Sequence, residues 1–254
     1  MKFFILFLLF VQLAFAQDPA MVKGQQIAKD VEAAQNGFNT ESSKLQMHLI
    51  NAYGEIIKRE MISKTIEGKG KDGDKSLIEF TYPLDVKGTQ LLTWSHKDKS
   101  DDQWLYLPAF KRVKRIASSV KSGSFMSSEF TYEDFGGQNI DKYNFKHLKD
   151  ETVDKVLCWV VERTPKESDS GYSKQVVWFD QKKKIALKVD YYDRKNELLK
   201  TGIFSDHQQI KGFWRSMKIE MSNVQTRKKS LLFWSERKVG EKIGADVFQP
   251  NRLK

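Results

Sequence analysis

Lys44-Leu45-Gln46-Met47-His48-Leu49-Ile50-Asn51-Ala52-Tyr53-Gly54 is where the period of this chain becomes twofold. Leu45, Met47 and Leu49 alternate with Gln46 and His48, the repeat of a strand with one buried face, and Asn51 to Gly54 reads as a turn. The pattern continues through residues 55–66. Further strands are predicted at 76–82, 89–96, 103–107, 143–148, 156–163, 174–179, 185–192, 198–210, 213–222 and 230–238. Short polar turns such as Asp72-Gly73-Asp74, Asp180-Gln181-Lys182-Lys183 and Asp193-Arg194-Lys195-Asn196 join them. Short links between successive strands predict an antiparallel meander.

A sheet of about a dozen strands accumulates twist and cannot stay flat. It curls, and its concave face is filled by side chains, by a helix or by a ligand. The chain carries 17 Phe, 8 Tyr and 6 Trp, ample aromatic mass for such a face. Upstream, Asp18-Pro19 predicts a helix start, with Asp as N-cap and Pro at the first position. Met21, Val22, Ile27, Ala28, Val31 and Ala34 then recur at near-helical spacing up to the stop signal Asn36-Gly37. One amphipathic helix is therefore expected ahead of the sheet, with an apolar stripe to cover.

The first residues read as an export signal. Lys2 precedes an apolar run from Phe3 to Val11, and Ala14-Phe15-Ala16 has the small-x-small form of a cleavage site. The expectation is a signal peptide over 1–16 and one domain over 17–254. That run is shorter than the roughly 20 residues a spanning helix needs. Cys158 is the only cysteine, so no intramolecular disulfide forms and none is placed to accept lipid at the cleavage site. Within its apolar run it reads as a buried, inert thiol. Lys and Arg number 43 against 33 Asp and Glu, a formal charge of +10. Such a surface favours anionic partners, and in an exported protein these are phospholipid headgroups rather than nucleic acid.

Residues 101–135 depart from strand grammar. Asp102-Gln103-Trp104-Leu105-Tyr106-Leu107-Pro108 starts as a strand, Lys111, Arg112, Lys114 and Arg115 follow, and a Ser/Gly stretch carries Phe125, Met126, Phe130, Tyr132 and Phe135. A long loop bearing rings is either a plug in the open end of the sheet or a lid over it. Together with Gly88-Thr89-Gln90-Leu91-Leu92-Thr93-Trp94, Arg112-Val113-Lys114-Arg115-Ile116 and Ser124-Phe125-Met126-Ser127-Ser128-Glu129-Phe130-Thr131-Tyr132-Glu133-Asp134-Phe135, these residues resemble the bacterial outer-membrane lipoprotein-sorting protein family. These are the LolA-like periplasmic proteins often associated with MMPL-type transporters. The opening helix, residues 54–59 and residues 248–253 fit as well. After Phe-Met, Gly followed by Ser-Asp is the more usual form; here Ser127-Ser128-Glu129 stands in its place.

The resemblance implies a mainly β fold with few helices: a curled antiparallel sheet forming an incomplete, half-open barrel closed by helices, LolA/LolB-like. It implies a periplasmic carrier of lipid or lipoprotein acyl chains, with transient membrane contact, an MMPL-type inner-membrane transporter as partner, and no cofactor. On that basis Trp94, Trp104, Tyr106, Trp159 and Trp178 are expected to line or floor an apolar cavity. Phe125, Met126 and Phe130 are expected to form a movable cover, and Lys111, Arg112, Lys114 and Arg115 a basic rim. Two other functions compete. An enzyme, such as a lipid hydrolase, finds little support: His48, His96, His147 and His207 are scattered, with no metal-binding pair and no nucleophile elbow. Glu129, Glu133 and Asp134 could form an acid/base set, but carboxylates near a basic loop more often pair with it. A non-carrier adaptor that docks on a transporter is the other, and an interior without space would favour it.

Overall fold

The computed structural model describes residues 18–69, 72–137 and 139–254; the expected signal segment, 1–16, lies outside the described residues. Helix α1 runs Pro19–Gln35, and the Asp18 side chain accepts the Ala20 N–H at 2.9 Å, the cap that the sequence predicts. The helix ends before Asn36, and Gly37 takes the positive φ (+96°) that suits a residue without Cβ. No described helix is long and apolar enough to cross a membrane.

Among the described residues thirteen strands follow: β1 (Thr40–Ile50), β2 (Ile56–Ile66), β3 (Asp72–Tyr82), β4 (Gln90–His96), β5 (Asp102–Leu107), β6 (Arg112–Ile116), β7 (Tyr143–Val153), β8 (Val156–Pro165), β9 (Tyr172–Asp180), β10 (Ala186–Asp193), β11 (Leu198–Ile210), β12 (Phe213–Asn223) and β13 (Lys229–Val239). They form one antiparallel sheet in the order β6-β5-β4-β3-β2-β1-β13-β12-β11-β10-β9-β8-β7. The order is a meander broken once. Chain neighbours pair except β6 and β7, β1 pairs with β13, and the edges β6 and β7 are linked along the chain by residues 117–142. The sheet is not closed into a barrel. β6, hidden in the sequence by its cations, is a five-residue edge strand, and its exposed Arg112, Lys114 and Arg115 discourage pairing with another chain.

The two faces differ. On the concave face Met47, Met61, Phe80, Leu91, Val177, Met221 and Leu232 form the main core with Ile27 and Ala28 of α1. Gly24 lets α1 sit on β7: a Cβ there would meet backbone atoms of Phe145, Lys146 and His147 at 2.8 Å. On the convex face Leu77, Leu92, Phe248 and Leu253 form a second cluster, covered by the C-terminal residues.

Where the family resemblance implies closure by several helices, α1 and an irregular segment share the task. The described residues of 117–142 hold short 3-10 turns and one isolated antiparallel bridge, Ser124 to Thr131, and enter the concave face, where Phe125 is fully buried against Phe80 and Phe135. Met126 and Ser127 both have left-handed backbone (φ +50° and +61°), and Ser128 N–H closes the turn on Phe125 O at 3.0 Å. Ser127 thus adopts the conformation that the more usual glycine takes freely, at a local cost of about 1–2 kcal/mol. A buried Ser128 hydroxyl on Phe125 O (2.7 Å) and the Arg59 guanidinium on Met126 O offset it.

Candidate lipid-binding cavity

A cavity of about 620 Å³ lies between α1, the concave face and residues 117–142. Its apolar wall includes Val31 of α1, Phe130, Phe179, Val189, Phe204, Ile219 and Trp234. The volume falls in the roughly 300–1,000 Å³ typical of small-molecule sites. Exposed lining residues mark the mouth: Asn36 after α1, Asp72 at the start of β3 and Lys97 after β4. Around it stand an acidic side, Glu67, Asp72 and Asp74, and a basic side, Arg215 and Arg237 with Lys184 nearby. Glu67 accepts the N–H groups of Gly37 (2.5 Å) and Asn39 (2.8 Å), tying the exit of α1 to β2. Asp74 accepts the Gly68 N–H at 2.9 Å, and burial pushes its carboxyl above the usual range.

The segment facing this cavity is pinned by buried polar contacts. Lys200 is 1% exposed, and its Nζ reaches Asp134 Oδ2 at 2.6 Å and Glu129 O at 2.8 Å. The Tyr172 hydroxyl donates to Asp134 Oδ1 at 2.8 Å. Glu133 accepts the Gly171 N–H (2.8 Å) and the Ser170 hydroxyl (2.5 Å), with its carboxyl pushed upward by burial. Asn223 holds the Glu129 carboxylate at 2.7 Å, and Glu129 N–H donates to Ser230 Oγ. Each of the three acids therefore has its own structural partner, and the cation that pairs with Asp134 comes from β11 rather than from the basic loop.

The aromatic residues singled out in the sequence are dispersed. Cross-strand register pairs Leu92 with Trp104 and Gln90 with Tyr106, which sets Trp104 and Tyr106 beside Trp94 on the convex face. Trp94 packs edge-on to Trp104 at 5.1 Å and donates Nε1–H to Phe248 O at 2.7 Å. Trp178 pairs across from Val160 and bonds Glu151 Oε2 at 2.9 Å, under Lys188. Trp159 sits opposite Phe179, packed against the main core with Lys184 Nζ 3.9 Å above its ring. None of the five is among the cavity-lining residues. Of the three cover residues, Phe130 lines the cavity, Phe125 is buried beneath it and Met126 is partly buried.

Lys111, Arg112, Lys114 and Arg115 lie on and beside the β5–β6 turn. The mouth gathers the β4 end that pairs with the start of β5, so Lys111 and Arg112 stand at the opposite strand ends. Arg115 is held by the Asp102 carboxylate, which His96 Nε2 also reaches at 2.8 Å. His147 meets Asp150 at 2.7 Å. No group of three or more His, Cys, Asp or Glu suited to a metal occurs among the described residues. Cys158 is buried, and burial raises its thiol above the usual value.

The sequence signals missed Glu41, Arg215 and Arg237, which meet on the cavity wall. Arg215 shares parity with the inward residues Ile219 and Met221, so a charge in that row was the available clue. Arg237 had none. A bulge at Glu236 (φ +49°) inserts one residue into β13 and turns Arg237 to the face of Trp234.

Comparison with known proteins matches this architecture. A family model described only as that of an uncharacterized protein matches residues 72–254. No curated protein matches. Among solved structures, an outer membrane lipoprotein-sorting protein domain from Vibrio parahaemolyticus is 43% identical, covering 92% of this chain and 99% of that one at a TM-score of 0.89. A DUF1329 family protein from Desulfovibrio piger is 31% identical, covering 92% and 99% at 0.88. A LolA superfamily protein from Nitrosomonas europaea is 19% identical, covering 91% and 99% at 0.72, a likeness of fold. With an open curled sheet, one helix across it and these relatives over nearly its whole length, the chain belongs to the outer-membrane lipoprotein-sorting protein family and has the LolA-like fold.

Proposed function

We propose that the protein is a periplasmic carrier that takes acyl chains of a lipoprotein or lipid into its cavity and moves them toward the outer membrane or to and from a membrane transporter. One observation carries the reading: space of about 620 Å³ under α1, walled on one side by Val31, Phe130, Phe179, Val189, Phe204 and Ile219 and rimmed by charged groups, that the protein's own side chains leave unfilled. Each methylene transferred from water contributes about 0.8 kcal/mol, so such a chamber offsets much of the cost of lifting a chain from a bilayer. The role is binding and release, with no bond made or broken. The adaptor alternative called for a stuffed interior, and the open chamber favours the carrier.

In this reading Phe130 walls the chamber, and movement of Phe125, Met126 and Phe130 as a cover works against the contacts of Glu129 with Lys200, Asn223 and Ser230. The basic hairpin serves docking. Phe110 is 68% exposed at its tip beside Lys111 and Arg112, an apolar and cationic pairing suited to an anionic membrane surface. An MMPL-type transporter as donor or acceptor rests on the family resemblance, and co-purification from membranes tests it.

The deciding experiment is lipid extraction and mass spectrometry of natively purified protein, with Ala186→Trp filling the cavity and Trp104→Phe altering the convex face. Acyl lipid should accompany the wild type and Trp104→Phe and be lost from Ala186→Trp. No lipid on the wild type, and no uptake of added lipid, overturns the carrier reading.

A further inference from the structure

Two guanidinium groups and one carboxylate meet where β12, β13 and β1 lie side by side in the cavity wall. Glu41 accepts Arg215 Nε on Oε2 at 2.8 Å and Arg237 Nε on Oε1 at 2.6 Å. The three side chains are 13%, 10% and 13% exposed. Arg215 Nη1 also donates to Gln35 Oε1 of α1 at 2.6 Å and to Trp214 O at 3.2 Å, and Arg237 Nη1 to Ser216 O at 2.9 Å. Rings enclose the pair: Phe38 and Phe213 stand 5.5 and 5.3 Å from the Arg215 guanidinium, and Trp234 5.4 Å from that of Arg237.

One carboxylate balances two cations here, so the cluster carries a local charge of +1 in a place largely shut from water. An uncompensated buried ion costs several kcal/mol. Lys184 adds a cation that makes no ion pair among the described residues. The acids on the far side of the mouth do not neutralise it. Asp72 and Asp74 begin β3, three strands from β13 and four from β12, roughly 14–19 Å along the sheet at about 4.8 Å per strand. Glu67, just past the end of β2, keeps its charge but accepts the Gly37 and Asn39 N–H groups and makes no ion pair with either guanidinium, Asp134 is paired with Lys200, and Glu32 of α1 makes no ion pair with either guanidinium. Burial also lowers the Arg237 pKa, with Arg215 acting in the same direction and Glu41 against them.

We propose that Arg215 and Arg237, with Lys184, form an anion subsite that holds the carboxylate or phosphate of an amphiphile whose hydrocarbon part fills the apolar chamber. The proposal rests on the carrier reading and narrows its cargo to acidic amphiphiles. Forked guanidinium donors suit either oxyanion, and the anion supplies the charge that Glu41 leaves unbalanced.

Three probes of equal chain length test it on the full mature protein by calorimetric titration: hexadecanol, palmitate and hexadecyl phosphate. The acidic probes should bind at least about tenfold tighter than the alcohol, and the better of the two identifies carboxylate or phosphate as the natural group. Arg215→Gln should cut that ratio to about twofold or less. Glu41→Gln, which removes the internal anion, should widen it, whereas a cluster that merely braces the fold would weaken all three probes alike. Lys111→Gln, at the far hairpin, should leave the ratio unchanged. Equal binding of alcohol and acids by the wild type overturns the subsite and leaves the carrier standing. Binding of no probe overturns both.

Discussion

The two seams of this sheet are made differently. Where β1 meets β13 the first and last strands pair by backbone hydrogen bonds, from Glu41 opposite Val239 to Ile50 opposite Lys229. Between β6 and β7 there is no ladder, and residues 117–142 fill the gap with Phe125, Phe130 and buried ions. A hydrogen-bonded seam fixes strand spacing at about 4.8 Å and admits nothing between its strands. The chamber touches both seams, with Glu41, Trp234 and Arg237 on one side and Phe130 and Asp134 on the other, but only the side-chain seam is closed by a few contacts that can be removed one at a time.

Removing the most buried of those contacts should have the largest effect. Lys200→Met leaves Asp134 without its cation, and loss of one partner of a buried pair costs about 3–5 kcal/mol. Chemical denaturation should register that loss, and hydrogen exchange should rise across 117–142 while β1 and β13 amides stay protected; equal deprotection of both seams would show that they form one unit. Gly24→Val forces α1 off β7, a clash expected to cost about 1–3 kcal/mol. Its thermal midpoint should fall, and its lipid uptake should fall with it.

A smaller effect sharpens the contrast through pH. Glu133 holds its proton more tightly when folded, because burial disfavours its charge. Between the ordinary glutamate value and that raised value the folded state carries the extra proton, so this group's contribution to stability falls as pH rises. Urea midpoints of wild type and Glu133→Gln across pH 4 to 7 should therefore change differently, the variant lacking that decline. The smallest effect belongs to the β6 edge. Changing Lys111, Arg112 and Lys114 together to Gln, which keeps the Arg115–Asp102 pair, should leave stability within about 0.5 kcal/mol, as exposed sites do, while binding to anionic vesicles drops. Unchanged vesicle binding would remove the hairpin from the docking role.

Strand positions and the helix were legible because alternation, turn residues and the Asp18-Pro19 cap are local signals. The face each strand turns inward was not. Trp94, Trp104 and Tyr106 are large and apolar, and nothing local distinguishes a concave ring from a convex one; register with Leu92 and the covering Phe248 decide it. β7 runs past its predicted end because a bulge between His147 and Lys149 interrupts the alternation. The same device at Glu236 hides Arg237. Lys200 reads as an ordinary surface lysine until Tyr172, Tyr191 and Asp134 gather around it.

The chamber's opening and the cationic β5–β6 turn lie at opposite ends of β5, a strand of 6 residues. At about 3.3 Å per residue that is roughly 20 Å. Resting on a bilayer by that turn, the molecule would stand like a flask on its base with its neck pointing away. Cargo would then be exchanged with something that projects well above the lipid, not with the leaflet underfoot.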